Sequence, residues 1–444
     1  MNTAPPRTRH TSWILGIVLV AVVLRALFVL VRFEELSQDR DLYLGIAQNL
    51  NAGIGYCNPG STEPTAFRPP LYVLAVAAVT RWGGISGLAV LHLLLSGVSV
   101  LATWKLGMRL GLRSGSWIAA LIVAFDPLLI RYTALPMTET MFTTLVVLTL
   151  LAWTYASERP IYAILTGISL GASALCRPTI WPLILVVPTL LCLAGIRLKW
   201  SGEWAAETKK QFVREGKSLM IIVGLAFLIA LPWGLRNQQI LGHFKLTTTH
   251  GGYTLLLGNN ATFYEAIVSK PLGTTWDEYP AESPLSQTQW YQRLTSELNS
   301  RGLKSELELD KAQYDMAIQE IRSQPKMFLK AALLRELRLW SPVPQGPEAN
   351  QLPFVIQLTM WISSVIVYAA AIAGLLAGFR HPKESVRWNC IAAVLITVMC
   401  VHAFYWSNAR MRAPLVPLVA LLAGRGIDRL IFRNGKDIYP LEES

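Results

Sequence analysis

The sequence predicts an all-α integral membrane protein with about ten transmembrane helices, and three observations carry that reading. Of 444 residues, 52% are hydrophobic and only 15% are charged, with a mean hydropathy of +0.39; that balance is too apolar for a water-soluble domain. Apolar runs of the roughly 20 residues that cross a bilayer recur along the chain. The loops between them carry Lys and Arg on alternate sides, as cytoplasmic loops do. The formal net charge of +12 is therefore spread between spans and does not form the basic face of a nucleic-acid-binding protein. Fifteen Trp and fourteen Tyr suit a protein with two membrane–water interfaces.

Taken in order, the first apolar run, Trp13 to Val31, follows a short tail with Arg7 and Arg9. It exceeds the apolar core of a signal peptide and no small-residue cleavage pattern follows it, so it reads as an uncleaved helix, 12–33. Further spans are expected at 85–106, 115–134, 138–156, 160–176, 179–197, 218–236, 354–379, 388–406 and 411–431. Pro69 to Thr80 is apolar but only about 12 residues long, which favours an interfacial or re-entrant element.

Charge supports leaving it out of the count. With a cytoplasmic N-terminus, the inside loops hold Lys105, Arg109 and Arg113; Arg159; Arg197, Lys199, Lys209, Lys210, Arg214 and Lys217; Arg380, Lys383 and Arg387; and Arg425, Arg429, Arg433 and Lys436. A span at 69–80 would put the 197–217 cluster outside. Both termini are then cytoplasmic, and two long loops, 34–84 and 237–353, share the opposite face. This divides the chain into an N-terminal membrane module (1–236, with loop 34–84), a large extracytoplasmic loop (237–353) and C-terminal membrane helices with a short tail (354–444). In the second loop Asp310 leads into a helical run. Pro325 opens another, where Phe328, Ala332, Leu333, Leu337 and Trp340 make an amphipathic stripe. Only Cys57 of five cysteines lies in a loop, and neither a disulfide framework nor a metal spacing follows.

The residues suited to chemistry gather where helices meet the loop face. Asp39, in QDRDLYLGIAQNL, precedes a short helix with Leu42, Tyr43, Ile46, Ala47 and Leu50 as its stripe. It reads either as a helix cap or as a carboxylate held at the membrane surface to accept a proton. Glu139 opens the fourth span, Arg177 closes the fifth, Arg236 closes the seventh, and Arg410 with Arg412 precedes the last. Singly, each Arg is an ordinary interface anchor; together they can bind a phosphate. His250 and Asn259, in HGGYTLLLGNN, are candidates for sugar contact or plain turn residues. Tyr43, Tyr72 and Trp406 are interface anchors or stacking rings.

These segments, QDRDLYLGIAQNL, FRPPLY with Arg68, TETMF, CRPT, LPWGLRN, GGYTLLLGNN and RMRAPLVPLVALL, taken in this order and topology, resemble the GT-C superfamily of glycosyltransferases. The likeness is to the branch with protein O-mannosyltransferases and the lipid A aminoarabinose transferase. The resemblance implies a polytopic GT-C-like helix bundle in the plasma (inner) membrane of a bacterium, transferring sugar from a polyprenyl-phosphate donor to an extracytoplasmic glycan, lipid or protein. It implies Asp39 as the base and binding roles for Asp41, Arg68, Glu139, Arg177, Arg236, His250, Asn259, Arg410 and Arg412. Relatives often carry two adjacent acids, whereas Arg40 follows Asp39 here and the second acid is Asp41. No cofactor is expected; a divalent cation on Asp39, Asp41 and Glu139 is conceivable but not predicted. The competing class is a polyprenyl-lipid transporter or flippase, for which the absence of a repeated half is unfavourable.

Overall fold

The computed structural model describes residues 7–200, 206–346, 349, 352–378 and 382–431. Arg380, Arg433 and Lys436 of the expected charge pattern, and the C-terminal tail, lie outside these residues. The longer elements of the described residues are all helices: α1 (Arg7–Val31), α2 (Tyr43–Asn51), α3 (Pro70–Arg109), α4 (Ser114–Phe125), α5 (Pro127–Thr133), α6 (Glu139–Ala156), α7 (Pro160–Cys176), α8 (Leu183–Trp200), α9 (Ala206–Leu241) and α10 (Gly251–Leu257) come first. Then follow α11 (Gln287–Ser300), α12 (Glu306–Ser323), α13 (Pro325–Leu339), α14 (Phe354–Gly378), α15 (Pro382–Phe404) and α16 (Val416–Ile431).

Seven of the described helices are long and apolar enough to cross a membrane, and the pair α4 and α5, bent by 47°, makes an eighth. The expectation of about ten therefore meets seven to eight. The difference falls on two segments: α7 has 17 residues and α16 has 16, each a little short of a full crossing. The expected span 115–134 is the bent pair, broken where Asp126 leaves helical geometry and caps α5 through the amide of Leu129.

The segment 69–80 becomes the first limb of α3. The helix breaks at Gly84, with φ 54° and ψ −150°, a conformation that residues with a Cβ seldom adopt. Beyond the break the chain doubles back. A Cβ on Gly87 would lie 2.3 Å from the Val79 carbonyl, and the Tyr72 hydroxyl reaches His92 Nε2 at 2.9 Å. The first limb is thus not a continuation of the crossing helix.

Small residues let the bundle close, as van der Waals packing between membrane helices requires. A Cβ on Gly171 in α7 would meet Ile229 Cβ of α9 at 2.7 Å. One core of buried residues runs through the bundle from α1 to α16. A second, built on Leu255, Phe263, Trp276, Trp290, Leu294 and Ala331, belongs to the large loop at one end.

In that loop, α12 begins earlier than the sequence suggested. Ser305 and Glu308 form its capping box, and Asp310 sits inside the helix, accepting from the Gly252 amide at 2.7 Å and pairing with Lys245. Helix α13 turns Ala331, Arg335, Arg338 and Leu339 inward, while Leu329, Leu333 and Leu337 stay exposed, as an amphipathic helix lying on lipid would. The inward Arg335 is fully buried and donates to the carbonyls of Ala403 and Gly258, which would otherwise lack donors at helix ends.

Candidate active site

The first loop and the starts of α2 and α6 meet at the loop-bearing end of the bundle. Leu42 adopts the left-handed conformation, φ 63°, and α2 begins at the next residue. Asp39 reaches over this turn: its two carboxylate oxygens accept from the amides of Leu44 at 3.0 Å and Gly45 at 2.6 Å. The capping reading of Asp39 is therefore realised. Each oxygen still has lone-pair capacity beyond its amide partner.

Asp41, two residues on, has different partners. Its Oδ2 accepts from Arg410 Nη2 at 2.5 Å and its Oδ1 from Arg68 Nη2 at 3.4 Å, while its carbonyl accepts from Arg68 Nε at 2.7 Å. Arg410 also donates from Nε to Glu139 Oε1, which takes a second hydrogen bond from Arg177 Nη1 at 3.0 Å. Glu139 is fully buried, and its Oε2 has no hydrogen-bond partner. One network thus joins the first loop (Asp41, Arg68), the start of α6 (Glu139), the end of α7 (Arg177) and the segment before α16 (Arg410).

Counting charges gives three guanidinium groups against two carboxylates, a surplus of one positive charge. Burial opposes ionisation of Asp41, but Arg410 and Arg68 outweigh it and hold the carboxyl below the usual range. Burial likewise works against the Arg410 cation, and Glu139 with Asp41 more than restores it. Among the described residues, Arg68 Nη1, Arg177 Nε and Arg410 Nη1 donate to no protein group. Donors therefore remain for a ligand.

The other expected residues divide. The His250 ring lies against Phe67 at 4.3 Å and Tyr253 at 5.1 Å; its Nδ1 is buried without a partner, and it feels the charges of Arg68 and Asp41. It borders the network. Arg236 donates instead to the carbonyls of Thr65 at 2.6 Å and Tyr56 at 3.4 Å, and packs on Tyr56 and Trp233, clamping the first loop. Arg412 donates to the Ser341 carbonyl at 2.7 Å. Asn259 is fully buried, with its amide on the carbonyls of Leu255 and Phe404. None of the last three joins the network.

Tyr43 stands edge-on to Tyr72 at 5.1 Å with Arg68 above it at 5.2 Å, whereas Trp406 stacks on Trp276 in the loop core. Sequence reading missed Met411, whose sulfur accepts from Arg177 Nη2 at 2.7 Å, and Tyr132, whose ring lies 5.9 Å below Arg410. No local motif marks either. Among the described residues, no group of three or more His, Cys, Asp or Glu side chains is arranged to hold a metal ion.

The sequence matches no family model and no curated protein sequence. Among solved structures, the chain is similar to the archaeal oligosaccharyltransferase AglB from Archaeoglobus fulgidus in complex with an inhibitory peptide and a dolichol-phosphate, with 13% identity, a TM-score of 0.54 and 96% of this chain covered. It is similar to the same organism's oligosaccharyltransferase tethered to an acceptor peptide containing the NVT sequon, at 12% identity and a TM-score of 0.52 over 95% of this chain. ArnT from Cupriavidus metallidurans bound to undecaprenyl phosphate matches over 94% of this chain and 78% of its own, with 12% identity and a TM-score of 0.44. The chain spans 51% and 50% of the two oligosaccharyltransferases, about half their length. The two oligosaccharyltransferase matches carry the assignment: this polytopic membrane protein has the GT-C fold.

Proposed function

We propose that this protein is a membrane glycosyltransferase that moves a sugar from a polyprenyl-phosphate donor to an acceptor at the loop-bearing, extracytoplasmic face. The observation that carries the reading is the Asp41–Arg410–Glu139–Arg177 network with Arg68. It is a partly buried cluster with one surplus positive charge and unused guanidinium donors, which suits a lipid phosphate. The similar AglB structure holds a dolichol-phosphate, a polyprenyl phosphate of the kind proposed for the donor.

In this mechanism the donor phosphate lies on Arg68, Arg177 and Arg410. Asp41 and Glu139 hold these cations in place. Asp39, oriented by the amides of Leu44 and Gly45, takes the proton from an acceptor hydroxyl or amine. The acceptor heteroatom bonds to the anomeric carbon as the bond from that carbon to the phosphate oxygen breaks. Polyprenyl phosphate leaves with the electron pair, and attack from the opposite face inverts the anomeric centre. Phosphate is a good leaving group, so no strong general acid is required. Arg177 and Arg410 stabilise the negative charge that develops on the phosphate as it departs.

Asp39→Asn in the purified protein tests the base. Asn keeps one acceptor oxygen for the first turn of α2, gives up the second amide contact, and cannot take the proton. Transfer should fall by about 100-fold or more while the helix content of the protein holds. Turnover near wild type would remove Asp39 from the role. Transbilayer movement of intact donor, with no polyprenyl phosphate released on any acceptor, would replace the enzyme with a transporter.

A further inference from the structure

A cavity of about 180 Å³ lies away from the ion-pair network, between the α4–α5 break, the middle of α14 and the entry to α16. Its polar wall is Asp126, Arg412, Tyr368, Ser363 and Ser364. Its volume is far above the ~10–15 Å³ that admits one water. The remaining lining, including Ile122, Phe125, Val367 and Val419, is apolar. Phe125, which lines the cavity, is half exposed and carries that wall onto the outer surface of the bundle. The space therefore has the shape of an amphiphile's site, polar inside and apolar towards lipid.

The two charges that line it do not pair. Arg412 is buried and spends Nη1 on the carbonyls of Ser341 and Leu339. Asp126 spends Oδ1 on the Leu129 amide. No ion pair within 4 Å joins them among the described residues. A guanidinium and a carboxyl group held apart on one cavity wall complement a dipolar ligand, because the ligand's cationic end favours the ionised carboxylate and its anionic end the guanidinium. A purely anionic ligand would face Asp126.

We propose that this cavity binds the headgroup of a zwitterionic aminoalkyl-phosphate lipid, of the phosphatidylethanolamine type. The phosphate lies on Arg412 and Tyr368, the ammonium on Asp126 and the Ser363 hydroxyl, and the chains run along α14. An ammonium that donates hydrogen bonds fits a wall of carboxylate and hydroxyl groups better than a methylated one. The site takes an ethanolamine headgroup over choline or glycerol. It is distinct from the site proposed for the sugar donor.

The test is native mass spectrometry of the full chain in nanodiscs containing equal parts of phosphatidylethanolamine, phosphatidylcholine and phosphatidylglycerol. Retained lipid should be enriched in ethanolamine. Asp126→Asn keeps an acceptor for the α5 cap and removes the charge. It should lower the ethanolamine preference by about tenfold, the loss of one charge-assisted hydrogen bond. Ser363→Leu, which fills the cavity from an exposed helix position, should abolish retention without unfolding the bundle. Equal retention of the three lipids, an unchanged preference in Asp126→Asn, or displacement of the lipid by polyprenyl phosphate alone would each overturn the assignment.

Discussion

Arg410 and Glu139, 271 residues apart in sequence, meet in a buried ion pair at the loop-bearing end of the bundle. The same guanidinium also holds Asp41, so one side chain ties the segment before α16 to the start of α6 and to the first loop. Breaking a buried pair from one side leaves an uncompensated charge. Glu139→Ala should lower stability by about 3 kcal/mol and loosen Arg177 together with Arg410. Thermal unfolding in detergent would show it, and an unchanged midpoint would mean the cluster contributes nothing to folding.

Arg410→Lys should preserve the charge and lose the bridge, since an ammonium cannot present Nε to Glu139 and Nη2 to Asp41 at once. The binding constant for polyprenyl phosphate should weaken by about tenfold with little change in expression. Binding of polyprenyl phosphate, followed by tryptophan fluorescence, is the measurement.

His250 gives a pH dependence. Burial, with Arg68 nearby, pushes its pKa down from 6.5 to about 3, against a smaller opposing pull from Asp41. The folded state thus keeps the ring neutral while the unfolded chain takes up a proton below pH 6.5. By linkage, stability should decline as pH falls from about 6.5 towards 3 and be unaffected by this group above that window. His250→Gln should flatten the decline, and unfolding midpoints across the range would show whether it does.

Asp41 acts in the lower part of the acid range. With its carboxyl held below the usual range by Arg410 and Arg68 against the cost of burial, its contribution is fully present above the unfolded value of about 3.9 and is lost as pH falls through the lower folded value. Asp41→Asn should therefore reduce stability at neutral pH and abolish that acid limb. If the variant keeps the wild-type limb, another carboxylate produces it.

Gly84→Ala puts a Cβ on a backbone conformation that glycine almost alone adopts, at a cost of about 1–3 kcal/mol. The doubled-back limb of α3 carries Tyr72 against His92. Limited proteolysis of loop 34–84 should accelerate in the variant, and an unchanged rate would show that the break tolerates a side chain.

Much of the architecture was legible in the chain. Apolar length marks a crossing helix because the bilayer leaves backbone groups no partner but one another, so α1, α6, α8, α9, α14 and α15 were readable as spans. The short apolar run before Gly84 was separable from the next helix by length alone. Where the reading ran ahead was at α7 and α16, segments of 17 and 16 residues that fall short of a full crossing by themselves.

The sequence by itself determined the membrane class and the set of acids and arginines at helix ends. Only the tertiary structure decided which of those groups meet. Arg177, Arg236, Arg410 and Arg412 looked alike as basic residues at helix ends, yet Arg177 and Arg410 converge on Glu139 whereas Arg236 and Arg412 satisfy loop carbonyls. Asp39 and Asp41, two residues apart, part company: Asp39 takes the first-turn amides of α2, and Asp41 takes Arg410 and Arg68. The physical reason is range. Helix and span formation depend on neighbours within a few turns, which sequence displays; ion pairing depends on which helices the packing brings side by side.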